Sequence, residues 1–317
     1  MGRALSQLVC IFLRSGCSGS DTASSLAFHP PRPAFYSITY DDKNDKYNII
    51  LASNIPYQVD RGLKVEFLKT KTNTYIPVIY IKYSESSKTI LYSHGNATDI
   101  GAMYSLYHAM AYALKVNIIA YDYTGYGSSN ISDPNKDIES MRKKCTEKQI
   151  YKDIDRVYEW CIDNKIVINP EINLFLYGQS VGSGPTCYLA SKKVVAGIII
   201  HSGILSGLRV ITTSRLFCAC DIFPNIDRIA NVKCPVFIIH GLEDLEVPVN
   251  HGKTLYDTVP DKFKYQPWYV PNRGHNNVII GNEREYFRRL TDFLLNAHTT
   301  ITTTEKQYNF EVIVEET

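Results

Sequence analysis

The fold is decided by one stretch of sequence, which reads Leu174-Phe175-Leu176-Tyr177-Gly178-Gln179-Ser180-Val181-Gly182. An apolar run compatible with a buried strand ends in the pattern G-x-S-x-G, and a segment compatible with a helix follows. In so sharp a strand–turn–helix corner, a Cβ two positions from the serine would collide, which suits Gly178 and Gly182. The pattern therefore predicts a nucleophile elbow with Ser180 at its tip. The same letters also fit an ordinary glycine-rich turn.

The composition fits a globular α/β protein. The chain has 317 residues, 44% of them hydrophobic, which is enough for one large domain or two small ones. The formal net charge of +2 implies no strong field for nucleic acid, and nucleic-acid binding is not expected. The longest apolar runs, such as 194–200, are too short to cross a bilayer and fit buried strands.

The cysteines do not form a metal-binding pattern. Eight are scattered along the chain without a C-x-x-C pair, so neither a zinc site nor another cofactor is expected. In a chain of this length, we interpret the cysteines as reduced thiols in a cytosolic compartment. The eight are Cys10, Cys17, Cys145, Cys161, Cys187, Cys218, Cys220 and Cys234.

Both ends of the chain differ from its middle. Residues 1–34 combine a short apolar patch, which holds Cys10 and lies before Cys17, with a Ser/Gly-rich linker. Two cysteines in such a patch suit S-acylation, although a disordered tail with inert thiols is an alternative. Residues 299–317 are Thr-rich and then acidic, and we expect a disordered tail. The predicted catalytic domain is 35–298.

Strand and helix patterns alternate through this domain. Such alternation predicts a mostly parallel twisted sheet of about eight strands, with helices on both faces and a short cap. Helical spacing after Thr98 or Asp99 predicts an N-cap at one of the two. Strands are expected at 63–68, 75–83, 89–93, 117–121, 172–177, 197–201, 236–240 and 268–270, and helices at 103–114, 150–161, 180–191, 250–259 and 283–297.

A serine nucleophile needs a base and an acid that orients the base. In the α/β-hydrolase fold they follow the serine in the order acid, then histidine. Asp244 follows the strand pattern at 236–240 and is the candidate acid, with Glu243 and Glu246 as neighbours. His275 follows the last strand pattern and is the candidate base. Three such residues in this order, each after its own strand, predict a Ser-His-Asp triad in an α/β-hydrolase fold.

The backbone N–H of Val181, beside the serine, is the first candidate oxyanion donor, and that of Asn96 is the second. The alternative for Asn96 is a tight turn. His94 and His240 each precede a glycine at a strand end and are interpreted as structural. Of the remaining side chains, His251 is expected at the surface, and Tyr123 and Tyr126 are expected to pack.

Several segments together resemble the α/β-hydrolase-domain-containing protein 17 family, which are membrane-associated protein depalmitoylases. The resemblance covers roughly residues 26–295, and its most specific parts surround Ser206 and Phe223. Two features depart from the family: the N-terminal cysteine cluster is sparser, and the loop 132–146 is longer and more charged. The shared segments are Leu26–Phe28 with Pro30-Pro31, Ser93–Asp99, Tyr121–Gly127, Leu176–Gly182, His201–Gly203, Ser206–Val210, Asp221–Ile226 and Gly274–Asn276.

The resemblance implies hydrolysis of the thioester between a fatty acyl chain and a protein cysteine. It implies Ser180 as nucleophile, Asp244 as acid and His275 as base. It also implies S-acylation of Cys10 and Cys17, peripheral attachment to the cytoplasmic face of plasma or endosomal membranes, and S-acylated membrane proteins as substrates. An esterase or monoacylglycerol lipase with the same triad is the alternative, and a non-catalytic membrane scaffold is a third hypothesis.

Overall fold

The protein was analysed as a computed structural model. The structure describes residues 27–55, 59, 62–83, 86–127, 144–210 and 221–297, together with the backbone of 131–132. Cys10, Cys17, the last residues of the chain and most of the loop 132–146 lie outside the described residues.

A sheet of eight strands forms the centre of the molecule. Its strands are β3 (Lys64–Lys69), β4 (Tyr75–Ile81), β5 (Thr89–Ser93), β6 (Asn117–Tyr121), β8 (Leu174–Gln179), β9 (Gly197–His201), β10 (Val236–Gly241) and β11 (Trp268–Val270). Their spatial order is β11-β10-β9-β8-β5-β6-β4-β3. The pairs from β11 across to β6 are parallel, whereas β4 is antiparallel to both of its neighbours. The predicted fold class and strand number are confirmed.

A second, three-stranded sheet accompanies the central one and was not predicted. Its strands are β1 (Tyr36–Asp41), β2 (Lys46–Leu51) and β7 (Ile131–Ser132), in the order β2-β1-β7. A strand pattern begins at Tyr36 in the sequence, but neither Lys46–Leu51 nor Ile131–Ser132 was expected to be a strand.

Helices cover both faces of the central sheet. The helices are α1 (Ile100–Leu114), α2 (Glu147–Asp163), α3 (Pro170–Asn173), α4 (Ser183–Lys192), α5 (Asn225–Ile229), α6 (Asn250–Thr258) and α7 (residues 283–297). The cores under α1 and α7 and under α2, α4 and α6 are separate clusters. Successive strand residues alternate between them, as Ile198, Ile199 and Ile200 do. Among the described residues, no helix has the length and apolar character that a membrane span requires.

Two local expectations are refined by the structure. The N-cap of α1 is Asp99, whose Oδ1 accepts a hydrogen bond from the backbone N–H of Ala102 at 3.0 Å. The strand expected at 172–177 begins at Leu174, because Pro170 opens a short helical turn that ends at Asn173. The elbow strand therefore reaches Gln179, the residue before the candidate nucleophile.

Candidate active site

Ser180 lies at a strained corner between β8 and α4. Its φ of +51° is in the left-handed region, which side chains rarely adopt. A Cβ on Gly178 would lie 2.6 Å from the carbonyl oxygen of Gly182. A Cβ on Gly182 would lie 2.6 Å from the carbonyl oxygen of His94 and would collide with that of Ser93. Both glycines are therefore required for the corner, as the sequence predicted.

The hydroxyl of Ser183 stabilises the corner by hydrogen bonds. Its Oγ donates to the carbonyl oxygen of Ser180 at 2.6 Å. The same Oγ accepts from the backbone N–H of Ile204 at 3.2 Å and from Nδ2 of Asn225 at 3.0 Å. One fully buried hydroxyl thus ties the elbow to the segment after β9 and to the start of α5. Neither Ser183 nor Asn225 was expected at the site from the sequence.

The structure brings the three candidate catalytic side chains together. Nε2 of His275 lies 2.9 Å from Oγ of Ser180. Nδ1 of His275 lies 2.7 Å from Oδ2 of Asp244. The three residues come from separate loops at the carboxyl ends of β8, β10 and β11. Both distances are hydrogen-bonding distances, so the imidazole can connect the hydroxyl to the carboxylate.

Asp244 is held as a carboxylate by its surroundings. Oδ1 accepts backbone N–H groups from Glu246 at 3.0 Å and Val247 at 2.8 Å. Burial alone would raise the pKa of Asp244, but hydrogen bonds from His240, His275 and Val247 together hold that pKa well below its usual range. The neighbouring Glu243 and Glu246 are exposed, so the structure places neither of these alternatives against His275.

The two candidate oxyanion donors occupy loops on either side of Ser180. Val181 follows Ser180 in a 3₁₀ turn that spans Ser180–Gly182. Asn96 directly follows Gly95, and a Cβ on Gly95 would lie 3.7 Å from Cβ of Ser180. The loop after β5 therefore passes the nucleophile. The assignment of the N–H groups of Val181 and Asn96 to an oxyanion remains a prediction.

The side chain of Asn96 has a role that the sequence did not suggest. Its Nδ2 donates to the carbonyl oxygen of Ala27 at 2.7 Å, and its Oδ1 accepts the backbone N–H of His29 at 2.9 Å. Oδ1 also accepts the hydroxyl of Tyr126 at 2.6 Å. Phe28, between the two bonded residues, is buried and meets the ring of Phe223 edge-on at 5.8 Å. Residues 27–29 are thus fastened beside the candidate site.

Three other histidines line the inner side of the site. His201 lies 2.7 Å from the hydroxyl of Tyr177, and burial, reinforced by His275, lowers the pKa of His201 to about 3. The expectation that His251 lies at the surface is wrong, because this side chain is 7% exposed and accepts the N–H of Leu205 at 3.1 Å. His240 contacts Asp244 directly, at 3.2 Å.

The remaining sequence predictions near the site concern packing. Tyr123 and Tyr126 are buried, as expected, and the hydroxyl of Tyr123 donates to the carbonyl oxygen of His94 at 2.6 Å. Nδ1 of His94 donates to the carbonyl oxygen of Gly95 at 2.7 Å, which fits a structural turn residue. Within the ranges that the structure describes, no group of three or more His, Cys, Asp or Glu side chains could hold a metal ion.

Comparison with solved structures identifies the fold. A Pyrococcus furiosus esterase, Pf2001, aligns over 74% of this chain and 92% of its own, with a TM-score of 0.57 and 17% identity. A 2,6-dihydroxy-pseudo-oxynicotine hydrolase aligns over 74% of this chain and 67% of its own, with a TM-score of 0.56 and 14% identity. At these identities the similarity establishes the α/β-hydrolase fold and nothing finer.

Sequence comparison gives a much stronger relationship. No protein-family model matches the chain. Human alpha/beta hydrolase domain-containing protein 17B is 35% identical over 92% of this chain and 96% of its own length. Alpha/beta hydrolase domain-containing protein aho-3 of Caenorhabditis elegans is 35% identical over 87% of this chain and 78% of its own. These relatives make the protein a hydrolase, and the chain belongs to the alpha/beta hydrolase domain-containing protein 17 family.

Proposed function

We propose that the protein is a serine hydrolase that removes fatty acyl groups from protein cysteines. The observation that carries the catalytic part is the chain of contacts through His275, at 2.9 Å to Ser180 and 2.7 Å to Asp244. Such a chain lets a neutral imidazole take the proton of the hydroxyl while the carboxylate stabilises the imidazolium that forms.

In the proposed reaction, Oγ of Ser180 attacks the carbonyl carbon of the thioester as Nε2 of His275 takes the hydroxyl proton. The N–H groups of Val181 and Asn96 stabilise the oxyanion. When the intermediate collapses, the carbon–sulfur bond breaks and His275 returns the proton to the departing cysteine sulfur. Water then attacks the carbonyl carbon of the acyl-enzyme as Nε2 of His275 takes one of its protons. The bond from that carbon to Oγ of Ser180 breaks, His275 returns the proton to Oγ, and the fatty acid leaves.

The choice of substrate is supported by the family and by exposed apolar side chains on two loops of the site. The sequence segments that resemble membrane-associated depalmitoylases run over roughly residues 26–295. The chain also belongs to the alpha/beta hydrolase domain-containing protein 17 family. The loops that carry the acid and the base also expose apolar side chains. Leu242 is 42% exposed, Leu245 94% and Ile280 64%. Such side chains suit a substrate whose acyl chain leaves a membrane to reach the serine.

The test compares the wild type, Ser180→Ala and Ser191→Ala on an S-palmitoylated peptide and on a monoacylglycerol. Ser191 is a matched control, because it lies on α4 and its hydroxyl makes one local hydrogen bond, to the carbonyl oxygen of Tyr188 at 2.8 Å. We expect Ser180→Ala alone to lose thioester hydrolysis and labelling by a fluorophosphonate. A strong preference for the glycerol ester would favour a lipase. The absence of Ser180-dependent labelling would favour a scaffold.

We also propose peripheral attachment to the cytoplasmic face of membranes, through S-acylation of Cys10 and Cys17. The support is the apolar patch around Cys10 and the gain in membrane affinity that a second acyl chain gives. Residues 1–34 fused to a fluorescent protein should localise to membranes. The same segment with both cysteines changed to serine should be cytosolic, and unchanged membrane localisation would exclude acylation as the anchor.

A further inference from the structure

A second imidazole contacts the carboxylate of Asp244. His240 lies near the end of β10 and is fully buried. Its Nε2 is 3.2 Å from Oδ2 of Asp244, the same oxygen that Nδ1 of His275 approaches at 2.7 Å. The two backbone donors, from Glu246 and Val247, both reach Oδ1. One carboxylate oxygen is thus shared by two histidines, while the other is held by the backbone.

The position of the proton on His240 follows from its partners. Nε2 lies 2.8 Å from the carbonyl oxygen of Val247, and a carbonyl oxygen can only accept. Nε2 therefore carries a hydrogen, which both Val247 and Asp244 can accept. Nδ1 has no hydrogen-bond partner among the described residues. It faces Gly252 of α6, where a Cβ would come within 2.6 Å of it.

We infer that His240 is a positioning residue for the catalytic acid, and that it moderates how strongly Asp244 binds His275. The inference rests on the proposed function. His240 bonds to the carbonyl oxygen of Val247 and so closes the loop whose N–H groups hold Asp244. It also gives Oδ2 a second hydrogen-bond donor, which reduces the negative charge that Oδ2 presents to His275.

Other titratable groups around Asp244 lie on β9, on α6 and on the loop of Asp244 itself. His201 at the end of β9 and His251 on α6 are both buried, and the carboxylate of Asp244 acts on each of them electrostatically. Burial lowers the pKa of both, so they contribute little positive charge to the site. Glu246, on the same loop as Asp244, is exposed and bonded to Asn276. Among the residues that the structure describes, His240 and His275 are thus the two side chains that contact the carboxylate by hydrogen bonds.

Loss of the His240 donor should change the pH dependence of catalysis in a definite direction. With Oδ2 facing His275 alone, the imidazole holds its proton more tightly, and the base becomes available only at a higher pH. In His240→Leu we expect the midpoint of the acid limb of kcat/KM to rise by about half a pH unit, which is roughly a threefold change in proton affinity. We also expect the plateau to fall by about 10-fold to 100-fold, because the acid loop is no longer closed.

The experiment measures kcat/KM for a p-nitrophenyl ester from pH 5 to 9, with the wild type, His240→Leu, His240→Asn and His240→Gln. The amide nitrogen of Gln occupies nearly the position of Nε2, whereas that of Asn occupies nearly the position of Nδ1. His240→Gln should therefore restore the wild-type midpoint of the acid limb and most of the kcat/KM plateau. His240→Asn should behave as His240→Leu does. A merely structural role for His240 would lower the plateau without moving the midpoint.

Two results would overturn the inference. One is an identical midpoint in the wild type and His240→Leu. The other needs no variant: nitrogen NMR of the wild type at pH 8 should find the His240 proton on Nε2, and a proton on Nδ1 would remove the donor. Ser180→Ala, assayed in parallel, separates the two proposals. If Ser180→Ala keeps full activity, the proposed function fails. If it is inactive while His240→Leu has a wild-type profile, only the role of His240 fails.

Discussion

The hydroxyl of Ser183 should stabilise both the fold and the nucleophile. Replacing Ser183 by Ala removes three hydrogen bonds, at 2.6, 3.0 and 3.2 Å. The amide of Asn225 keeps a second partner, the carbonyl oxygen of Ile204 at 2.9 Å, and the Ser180 carbonyl keeps the backbone N–H of Ser183. The Ile204 N–H, in contrast, loses the hydroxyl that accepts it. A buried polar group without a partner costs about 1–3 kcal/mol, so this one group predicts a loss of about 1–3 kcal/mol in the free energy of unfolding.

Chemical denaturation followed by circular dichroism measures that loss, and the rate of fluorophosphonate labelling reports the orientation of Ser180. Ser191→Ala is the matched control, since this variant loses one local bond within the same helix. Its expected cost is about 0.5 kcal/mol, within the range of ordinary surface changes. In Ser183→Ala, labelling should slow by about 10-fold or more, because the strained corner loses its support.

The reasoning would be refuted if Ser183→Ala were no less stable than Ser191→Ala. Such a result would mean that water or a local shift satisfies the freed groups at little cost. Unchanged stability together with slower labelling would show that the hydroxyl acts on the elbow alone, and the stability argument would be wrong.

Three further predictions follow from single contacts. Gly182→Ala should abolish fluorophosphonate labelling, because its Cβ would lie 2.6 Å from the His94 carbonyl; Gly62→Ala, in open space, is the control, and full labelling would contradict the expectation. Asn96→Ala should free residues 27–29 for limited proteolysis and cost about 1–3 kcal/mol of stability, whereas unchanged cleavage would show that the two bonds are unimportant. Burial raises the pKa of Asp153 from 3.8 to about 7, so the folded protein binds more protons than the unfolded chain in that window and the contribution of Asp153 to stability falls as the pH rises. Urea denaturation from pH 4 to 7 measures this: the contribution that falls with rising pH should be missing in Asp153→Asn, so its free energy of unfolding should fall less, or rise more, with pH than that of the wild type. The same pH dependence in both proteins would contradict this account.

Much of the architecture could be predicted because it depends on local patterns. Alternating strand and helix segments required a parallel sheet, since buried strands of a few apolar residues need helices on both faces. The glycines at 178 and 182 predicted the elbow, because the corner excludes a Cβ at both positions. The triad could be predicted from the order of serine, acid and histidine, because each follows its own strand. The carboxyl ends of parallel strands lie at one edge of a sheet, so the three side chains were expected to be close together.

The choice among neighbours depended on three-dimensional contacts. The sequence made Asp244 the candidate acid, with Glu243 and Glu246 as neighbouring carboxylates. The short side chain of Asp244 folds back onto the N–H groups two and three residues ahead and still reaches His275. The buried position of His251 was equally hidden, since its partner, the N–H of Leu205, is 46 residues away in the chain.

The sequence by itself determined the layered fold, the strained corner at Ser180 and the order of the candidate triad, because these follow from side-chain periodicity and from where a Cβ fits. Only the tertiary structure decided that Asn96 fastens residues 27–29, that Ser183 joins the elbow to Ile204 and Asn225, and that His240 and His275 share the carboxylate of Asp244. The physical reason is that a hydrogen bond joins atoms by distance and direction in space. Partners that are tens of residues apart leave no periodic trace in the chain.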